Sequence, residues 1–323
     1  MRAAVLQEHG SVPVLAEHPD PSGDEGSLVR VSAAPVVPLD VLCASGTSYF
    51  GRRRTPYVPG VQGVGVVEES TTLPVGTRVW FATSAGMVDG DGSLAPLCAV
   101  PDDDLVPVTA PVEDTALAAL GLSAVAAWMS LTWRAGLGAG ERVLVLGGGG
   151  AVGQSAIGAA RLLGAAQVVA VCRSAEAADR ARKAGADEVV RHTDDLEDLT
   201  DRLREVCVDP VDVVVDPVFG TAATAATRVL AEGGRLVNLG GSSGDAATFS
   251  SAALRSRSVS VLGYTNNALS VAQRAEAVTR IAEHAASGDL GVAHRSLPLD
   301  EVAEAWQATA AGDAGTRFVL RPD

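Results

Sequence analysis

The sequence predicts an α/β chain built around a doubly wound parallel sheet, and three observations carry that expectation. Six short apolar runs alternate with helix-length segments between residues 142 and 264. The first run ends in four consecutive glycines, Gly147 to Gly150, which lead into the helix-like AVGQSAIGAARLLGA. About the first 100 residues instead hold brief apolar runs broken by Pro and Gly, the texture of β-rich structure.

The early strands are SLVRVSAAPVV, GVGVVEES and GTRVWFAT. From about residue 112 the texture changes to TALAALGLSAVAAWMSLTWRAGL, with Ala and Leu at helical spacing. The six apolar runs are RVLVLG (142–147), QVVAV (167–171), EVV (188–190), VDVVVD (211–216), GRLVNL (234–239) and SVSVLGY (258–264), with five crossover-length segments between them. Continuous apolar runs joined by helical crossovers are what a parallel sheet shows when helices cover both of its faces. A long helical stretch follows residue 265, then SLPLDEVAEAWQATAAG and a closing strand-like TRFVLRP. No internal repeat or low-complexity linker interrupts this order.

Length and composition bound the function. A chain of 323 residues is long for one core, so two domains are expected. With 47% hydrophobic and 20% charged residues it is a globular, enzyme-like chain rather than a disordered one. A net charge of −14 repels nucleic acid and anionic membrane surfaces, so neither is expected as a partner. No uninterrupted apolar segment approaches the roughly 20 residues of a membrane span, and MRAAVLQEHG lacks the order of a signal peptide, which makes the cytoplasm the expected address. Cys43, Cys98, Cys172 and Cys207 are scattered, with no CxxC pair, and read as inert thiols rather than a disulfide or zinc framework.

The glycines carry the chemistry. Gly148, Gly150 and Gly153 form GxGxxG directly after a strand and at the start of a helix, the context that makes this pattern a dinucleotide fingerprint. The first glycine permits a tight turn, the second a close approach to the pyrophosphate, and the third close packing of helix on strand. Gly149, Ala151 and Val152 complete the run of backbone amides that meets the phosphates. A plain strand-to-helix turn would explain the glycines alone, but not the five strands that follow in Rossmann order.

The end of the second run selects the dinucleotide. An NAD site places Asp or Glu there to hold the ribose 2′-hydroxyl. Here the run closes in Cys172, Arg173 and Ser174, and no carboxylate comes before Glu176, so NADPH is the expected cofactor. A lone Arg is more often a solvated surface residue; its position at a strand's carboxyl end reverses that. Ser174 and Arg180 are next in line for the 2′-phosphate.

Taken together, MRAAVLQEHG, PYVPGVQGVGVVEE, VGTRVWF, GSLAPLCAVPDDDLVPV, the glycine loop, ARKAGADEVV, GGRLVNLG and GTRFVLRPD occur in the order and spacing of a known family. The chain resembles the medium-chain dehydrogenase/reductases, and among them the zinc-free quinone oxidoreductase-like branch. The resemblance implies a Rossmann doubly wound parallel sheet inserted in a GroES-like β-rich catalytic domain. It divides the chain into a GroES-like first part (1–124), a Rossmann NADPH-binding domain (125–265) and a C-terminal return (266–323), with the active cleft between the domains. It also implies a small-molecule substrate, a homodimer, and cofactor contacts from Leu239 and Gly240 in GGRLVNLG and Arg317 in GTRFVLRPD.

Departures from the family pattern narrow the chemistry. Zinc-dependent members carry a PGHE segment and a four-cysteine lobe; this chain reads PGVQ, with Val61 and Gln62 in the ligand positions, and nothing resembles the lobe. No metal site is expected. Without a Lewis acid, the charge that develops as hydride arrives must be spread by the substrate and held by hydrogen-bond donors. Quinones, enones and other activated alkenes therefore rank above simple ketones.

The catalytic candidates are Tyr49, Asp40, Tyr264 and Asn267. By resemblance to enoyl reductases Tyr49 is a proton donor, although packing explains it equally well. Tyr264, Asn266 and Asn267 follow the last Rossmann run, where an amide or hydroxyl orients a carbonyl, although a turn explains Asn-Asn as well. Val37 replaces the Asn of an NPxD-like segment. Arg52, Arg53 and Arg54 read first as a solvated loop and second as a seat for an anionic or carrier-linked substrate. An NADPH-dependent reductase is the expected function, with an NADPH-binding protein of little turnover and a zinc-free carbonyl reductase as alternatives.

Overall fold

The structure, a computed structural model, describes residues 1–22, 26–207, 209–312 and 315–322. Residues 313, 314 and 323 of the C-terminal return lie outside the described residues. The chain forms two compact units: Met1–Leu122 with Val271–Ser287 and Val292–Asp323, and Ser123–Ser270 with Gly288–Gly291.

In chain order the elements begin with β1 (Arg2–Val5), β2 (Val14–Glu17), β3 (Ser27–Pro35), α1 (Pro38–Ser45), β4 (Gln62–Glu69), β5 (Arg78–Ala82), β6 (Leu97–Val100), β7 (Leu105–Pro107) and α2 (Asp114–Met129). The middle of the chain gives β8 (Arg142–Leu146), α3 (Ala151–Leu162), β9 (Gln167–Cys172), α4 (Ala175–Lys183), β10 (Glu188–Arg191), α5 (Leu196–Val206), β11 (Val211–Asp216), α6 (Gly220–Val229), β12 (Leu230–Asn238), α7 (Ser251–Ser256) and β13 (Ser260–Gly263). The last part adds α8 (Val271–Ala286), β14 (His294–Pro298), α9 (Val302–Ala310) and β15 (Arg317–Arg321).

The first unit is the GroES-like one. Its main sheet runs β14-β15-β3-β4-β5-β7, with β6 also paired to β3, and β1 pairs β2 in a separate ribbon. The end of the chain completes the sheet begun near its start: β15 pairs antiparallel to β3 through Val319↔Pro35 and Leu320↔Ala34. The short helix α1 is fixed at both ends. Pro38 occupies the first turn, Asp40 reaches back to the Val37 N–H at 2.8 Å, and Gly46 closes the helix with φ 71°.

The second unit is a Rossmann sheet in the order β10-β9-β8-β11-β12-β13, with every neighbour parallel. Alternation along β8 shows why both faces must be covered. Val143 and Val145 join the core that includes Ile157 of α3, whereas Leu144 and Leu146 join the one that includes Leu199 and Leu203 of α5. The order reverses between β8 and β11, and in such sheets ligands bind at the carboxyl ends of the strands beside that reversal.

Among the described residues, one helical run, Asp114–Ala135, has the length and apolarity of a membrane span: 22 residues at mean hydropathy 1.5. Gly, Ser and Thr residues interrupt its apolar sequence, and at Gly121 the backbone leaves helical geometry. Within its most apolar window 67% is buried, and Gly121 kinks it with φ 32° and ψ −136°, which mark it as a core element.

Candidate functional site

The glycine turn at the end of β8 is sterically closed on three sides. Gly147 supplies the left-handed residue, with φ 65°, so the turn's special conformation falls one residue before the fingerprint. A Cβ on Gly148 would lie 2.7 Å from Ala170 Cβ, one on Gly149 2.5 Å from Ala177 Cα, and one on Gly153 2.2 Å from the Gly147 carbonyl oxygen. Gly150 differs: a Cβ there meets nothing nearer than the Gly147 carbonyl oxygen at 3.5 Å. Gly150 is also the N-cap of α3, which no side chain caps, so the amides of Ala151, Val152 and Gly153 begin the helix without a side-chain acceptor. The cradle therefore has a tightly packed inner side and an open face at Gly150.

Two side chains brace this turn. Gln154 Nε2 donates to the Gly149 carbonyl at 2.9 Å, and Arg180 Nε of α4 donates to the same oxygen at 3.0 Å. Beside them β9 ends in buried Cys172 and exposed Arg173. Ser174 caps α4 by accepting from the Ala177 N–H at 3.1 Å. Arg173 has no hydrogen-bond or ion-pair partner among the described residues. Arg191, at the end of β10, is registered opposite Cys172. It is the residue sequence reading missed, because its nearness to β9 follows from strand order and not from chain distance.

Across the order reversal, the loop after β11 faces the glycine turn, and a Cβ on Gly147 would come within 2.8 Å of Val218 Cγ1. Asp216, fully buried, shapes this loop by accepting from the N–H groups of Val218 (3.0 Å) and Phe219 (2.7 Å) and from Asn238 Nδ2 (3.2 Å). Burial holds its carboxyl above the usual range against these donors. The same network sets the end of β12: the Leu239 N–H donates to the Asp216 carbonyl at 2.9 Å, and Asn238 Nδ2 to the Gly240 carbonyl at 2.8 Å. A Cβ on Gly240 would lie 2.8 Å from the Pro217 carbonyl oxygen. The expected cofactor positions Leu239 and Gly240 are thus held by Asp216, a residue the sequence did not single out.

At the end of β13 the structure pairs Tyr264 with Asn266 rather than with Asn267. The Tyr264 hydroxyl donates to Asn266 Oδ1 at 2.7 Å and its ring lies edge-on to Trp133 at 6.2 Å, while burial raises its pKa. Asn267 is exposed, and its side chain has no partner among the described residues.

In the first unit, Asp40 and Arg317 are both buried. Asp40 is 2% exposed and accepts from the Val37 N–H at 2.8 Å and the Val61 N–H at 3.0 Å, so each carboxylate oxygen is already engaged by backbone. It is a positioning residue that fixes α1 to the segment leading into β4. Burial pushes it up to about 7, opposed by those two N–H groups and by the Arg317 guanidinium. Arg317, expected at the cofactor, is 6% exposed and donates to the Val36 carbonyl at 3.2 Å. Burial lowers its pKa to about 10, and the charge of Asp40 acts the other way. The closing GTRFVLRPD marks the residue but carries no sign of this burial.

The remaining candidates separate clearly. Val61 and Gln62 are fully buried. Gln62 Oε1 accepts from the Leu122 N–H at 2.5 Å, the amide released by the kink at Gly121. Among the described residues no group of three or more His, Cys, Asp or Glu could hold a metal. All four cysteines are free and buried, and burial raises Cys43 to about 11. Tyr49 is 82% exposed, and its ring lies against Phe50 with centroids 4.2 Å apart. Of the neighbouring arginines, Arg53 donates to the Phe50 carbonyl and Arg54 pairs with Asp89 at 3.6 Å. Only Arg52 of the three has no such partner among the described residues.

A parallel sheet in this order, with a glycine turn beside its reversal, and a GroES-like unit in the same chain are the architecture of dehydrogenases and reductases. Known proteins agree. Residues 23–110 match the alcohol dehydrogenase GroES-like domain, and residues 151–283 match the zinc-binding dehydrogenase model. The quinone oxidoreductase-like protein 2 of Bos taurus is 30% identical over 268 residues, 81% of this chain and 74% of that protein. A phenolphthiocerol/phthiocerol polyketide synthase of Mycobacterium tuberculosis is 30% identical over 313 residues, 93% of this chain, which spans only 14% of that protein's length. Among solved structures, the quinone oxidoreductase from Thermus thermophilus, solved alone and in complex with NADPH, aligns with TM-score 0.81 at 27% identity over 99% of this chain and 100% of that one. The chain belongs to the medium-chain dehydrogenase/reductase family of oxidoreductases, in its quinone oxidoreductase-like branch.

Proposed function

We propose that this chain is an NADPH-dependent reductase that passes hydride to a quinone, an enone or another activated C=C acceptor without zinc. The observation that carries the reading is the basic corner beside the glycine turn, where exposed, unpartnered Arg173 stands in the place an NAD site gives to a carboxylate. The residues fit the cofactor. The open face at Gly150 and the uncapped start of α3 suit a pyrophosphate, and Arg173 suits a 2′-phosphate. Bound there, the dinucleotide supplies the hydride.

The acceptor class follows from what replaces a metal. Val61 and Gln62 occupy the ligand positions of zinc-dependent members, and Gln62 is engaged with Leu122. A conjugated acceptor delocalises the arriving charge, and hydroxyl or amide donors hold what remains. Tyr49 and Asn267 are exposed donors with uncommitted side chains, whereas the Tyr264 hydroxyl is held by Asn266. Tyr49 delivers the proton to the reduced product and Asn267 orients its carbonyl.

Two results check this reading. A hydrogen bond to a charged group contributes roughly 1.5 to 3 kcal/mol, so the native protein should prefer NADPH over NADH by about 10- to 100-fold. Arg173→Ala should weaken NADPH about tenfold and leave NADH nearly unchanged, an effect that shrinks as salt rises. Equal dissociation constants for the two cofactors in the native protein would sink the assignment. Tyr49→Phe should lower kcat about tenfold or more at unchanged NADPH affinity, and it should leave the melting temperature alone because the ring is exposed. A rate unaltered with several acceptors returns Tyr49 to the surface.

A further inference from the structure

The loop between α1 and β4 carries Arg52, Arg53 and Arg54 in succession, in a chain of net charge −14. Its backbone is held in place without help from their guanidinium groups. The Gly51 N–H donates to the Ser48 carbonyl at 2.9 Å, the Arg54 N–H to Asp89 Oδ1 at 3.1 Å and the Val58 N–H to Asp91 Oδ1 at 2.7 Å. The ring nitrogens of His9 lie 3.2 Å from the Ala44 carbonyl oxygen and 2.9 Å from the Arg53 carbonyl oxygen, so one side chain ties the loop to the end of α1.

Arg52 is seated on this frame. A Cβ on Gly46 would lie 2.9 Å from Arg52 Nε and 3.2 Å from Arg52 Cγ, so the glycine that closes α1 also makes room for the arginine's stem. The Arg52 guanidinium has no hydrogen-bond or ion-pair partner among the described residues. Arg53 donates to the Phe50 carbonyl from a terminal nitrogen, while its Nε is buried without an acceptor among the described residues. A buried donor left unpaired is costly, and an acceptor brought by a ligand removes that cost. The acids of the neighbouring loop are already engaged, Asp89 with Arg54 and Asp91 with His18 and the Val58 amide. With Arg52 on Gly46 and the charge of Arg53 acting on the Cys43 thiol, both side chains lie against the last turn of α1. An arginine with an anchored stem loses less freedom on binding, and its planar fork matches a carboxylate or a phosphate.

Resting on the reductase reading above, we infer that the acceptor carries an anionic group, a carboxylate or a phosphate, and that Arg52 and Arg53 hold it away from the reacting carbons. Tyr49 lies three residues before Arg52, a span of at most about 11 Å of chain. The anion is therefore joined to the enone by a short linker. The two arginines select the acceptor and take no part in hydride transfer.

The test is steady-state NADPH oxidation with three acceptors that share one enone: trans-6-oxohept-4-enoate, its methyl ester, and trans-5-oxohex-3-enyl phosphate. Each substituent sits two methylenes from the enone, so intrinsic reactivity differs little among them. In the native protein kcat/KM should be at least about fivefold higher for one of the anions than for the ester, chiefly through KM, and the advantage should shrink as salt rises. The better anion identifies the source of the charge. Arg52→Ala should remove most of the advantage by weakening the anion, while the ester moves less than about twofold. Arg52→Lys, which keeps the charge and loses the fork, should retain part of it. Arg295→Ala, the same loss of charge elsewhere in the first unit, should leave it unchanged. An ester used as well as both anions, an advantage that survives Arg52→Ala intact, or an equal loss on ester and anion in that variant overturns the proposal, while oxidation of NADPH with the ester keeps the reductase reading. If none of the three is reduced, the reductase reading fails and takes the proposal with it.

Discussion

Gly153→Ala should cost the second unit about 3 kcal/mol or more of stability and abolish measurable dinucleotide binding, whereas Gly150→Ala should leave stability nearly unchanged and weaken binding alone. The difference lies in what each new methyl meets. At Gly153 it would sit 2.2 Å from the Gly147 carbonyl oxygen and 2.6 Å from Gly148 Cα, both backbone atoms of the turn itself. Neither can yield without opening the turn and separating α3 from β8. At Gly150 the nearest atom is 3.5 Å away and φ is −79°, a conformation open to any residue. A methyl there fills only the face offered to the phosphates. Thermal unfolding and cofactor titration of both variants separate the roles, and a Gly150→Ala protein as unstable as Gly153→Ala would contradict the open face.

Asp40→Ala is the second large effect, about 2 to 5 kcal/mol at pH 5, because it leaves the Val37 and Val61 amides buried without their acceptor. The pH dependence has a definite sign. Burial raises Asp40 from 3.8 to about 7, so between those values the folded protein holds a proton that the unfolded chain has released. The resulting stabilisation is complete below about 4 and is lost as pH rises through 7. The stability difference between native protein and Asp40→Asn should shrink across that window. A difference that grows from pH 4 to 7 would reverse the assignment.

The second unit was legible because its physics is local. A parallel strand buried on both faces reads as a continuous apolar run, and a glycine turn announces itself by composition. Even so, the left-handed residue proved to be Gly147, because which glycine takes φ 65° depends on how the turn meets Val218, 71 residues later in the chain (218 − 147). β12 begins at Leu230 rather than 234, since Gly233, with φ 68°, lies at an irregularity in the pairing to β11 and not at the strand's start. The first unit's site was less legible. Arg317 is buried because β15 returns to pair with β3, and nothing beside it or Asp40 in the sequence signals that burial. Arg191 was hidden for a similar reason: β10 lies next to β9 by sheet order alone. Tyr49, for which the sequence left proton donation and packing equally open, stands exposed.

The most direct measurement follows NADPH and NADH oxidation by the native protein across a panel of quinones and enones, with a strong chelator present throughout. A zinc-free NADPH-dependent reductase oxidises NADPH in proportion to acceptor, keeps that rate in the chelator, and shows kcat/KM at least about tenfold higher for NADPH than for NADH. NADPH that binds, with a fluorescence change, but is oxidised no faster with acceptor than without it would contradict catalysis and leave a cofactor-binding protein in its place.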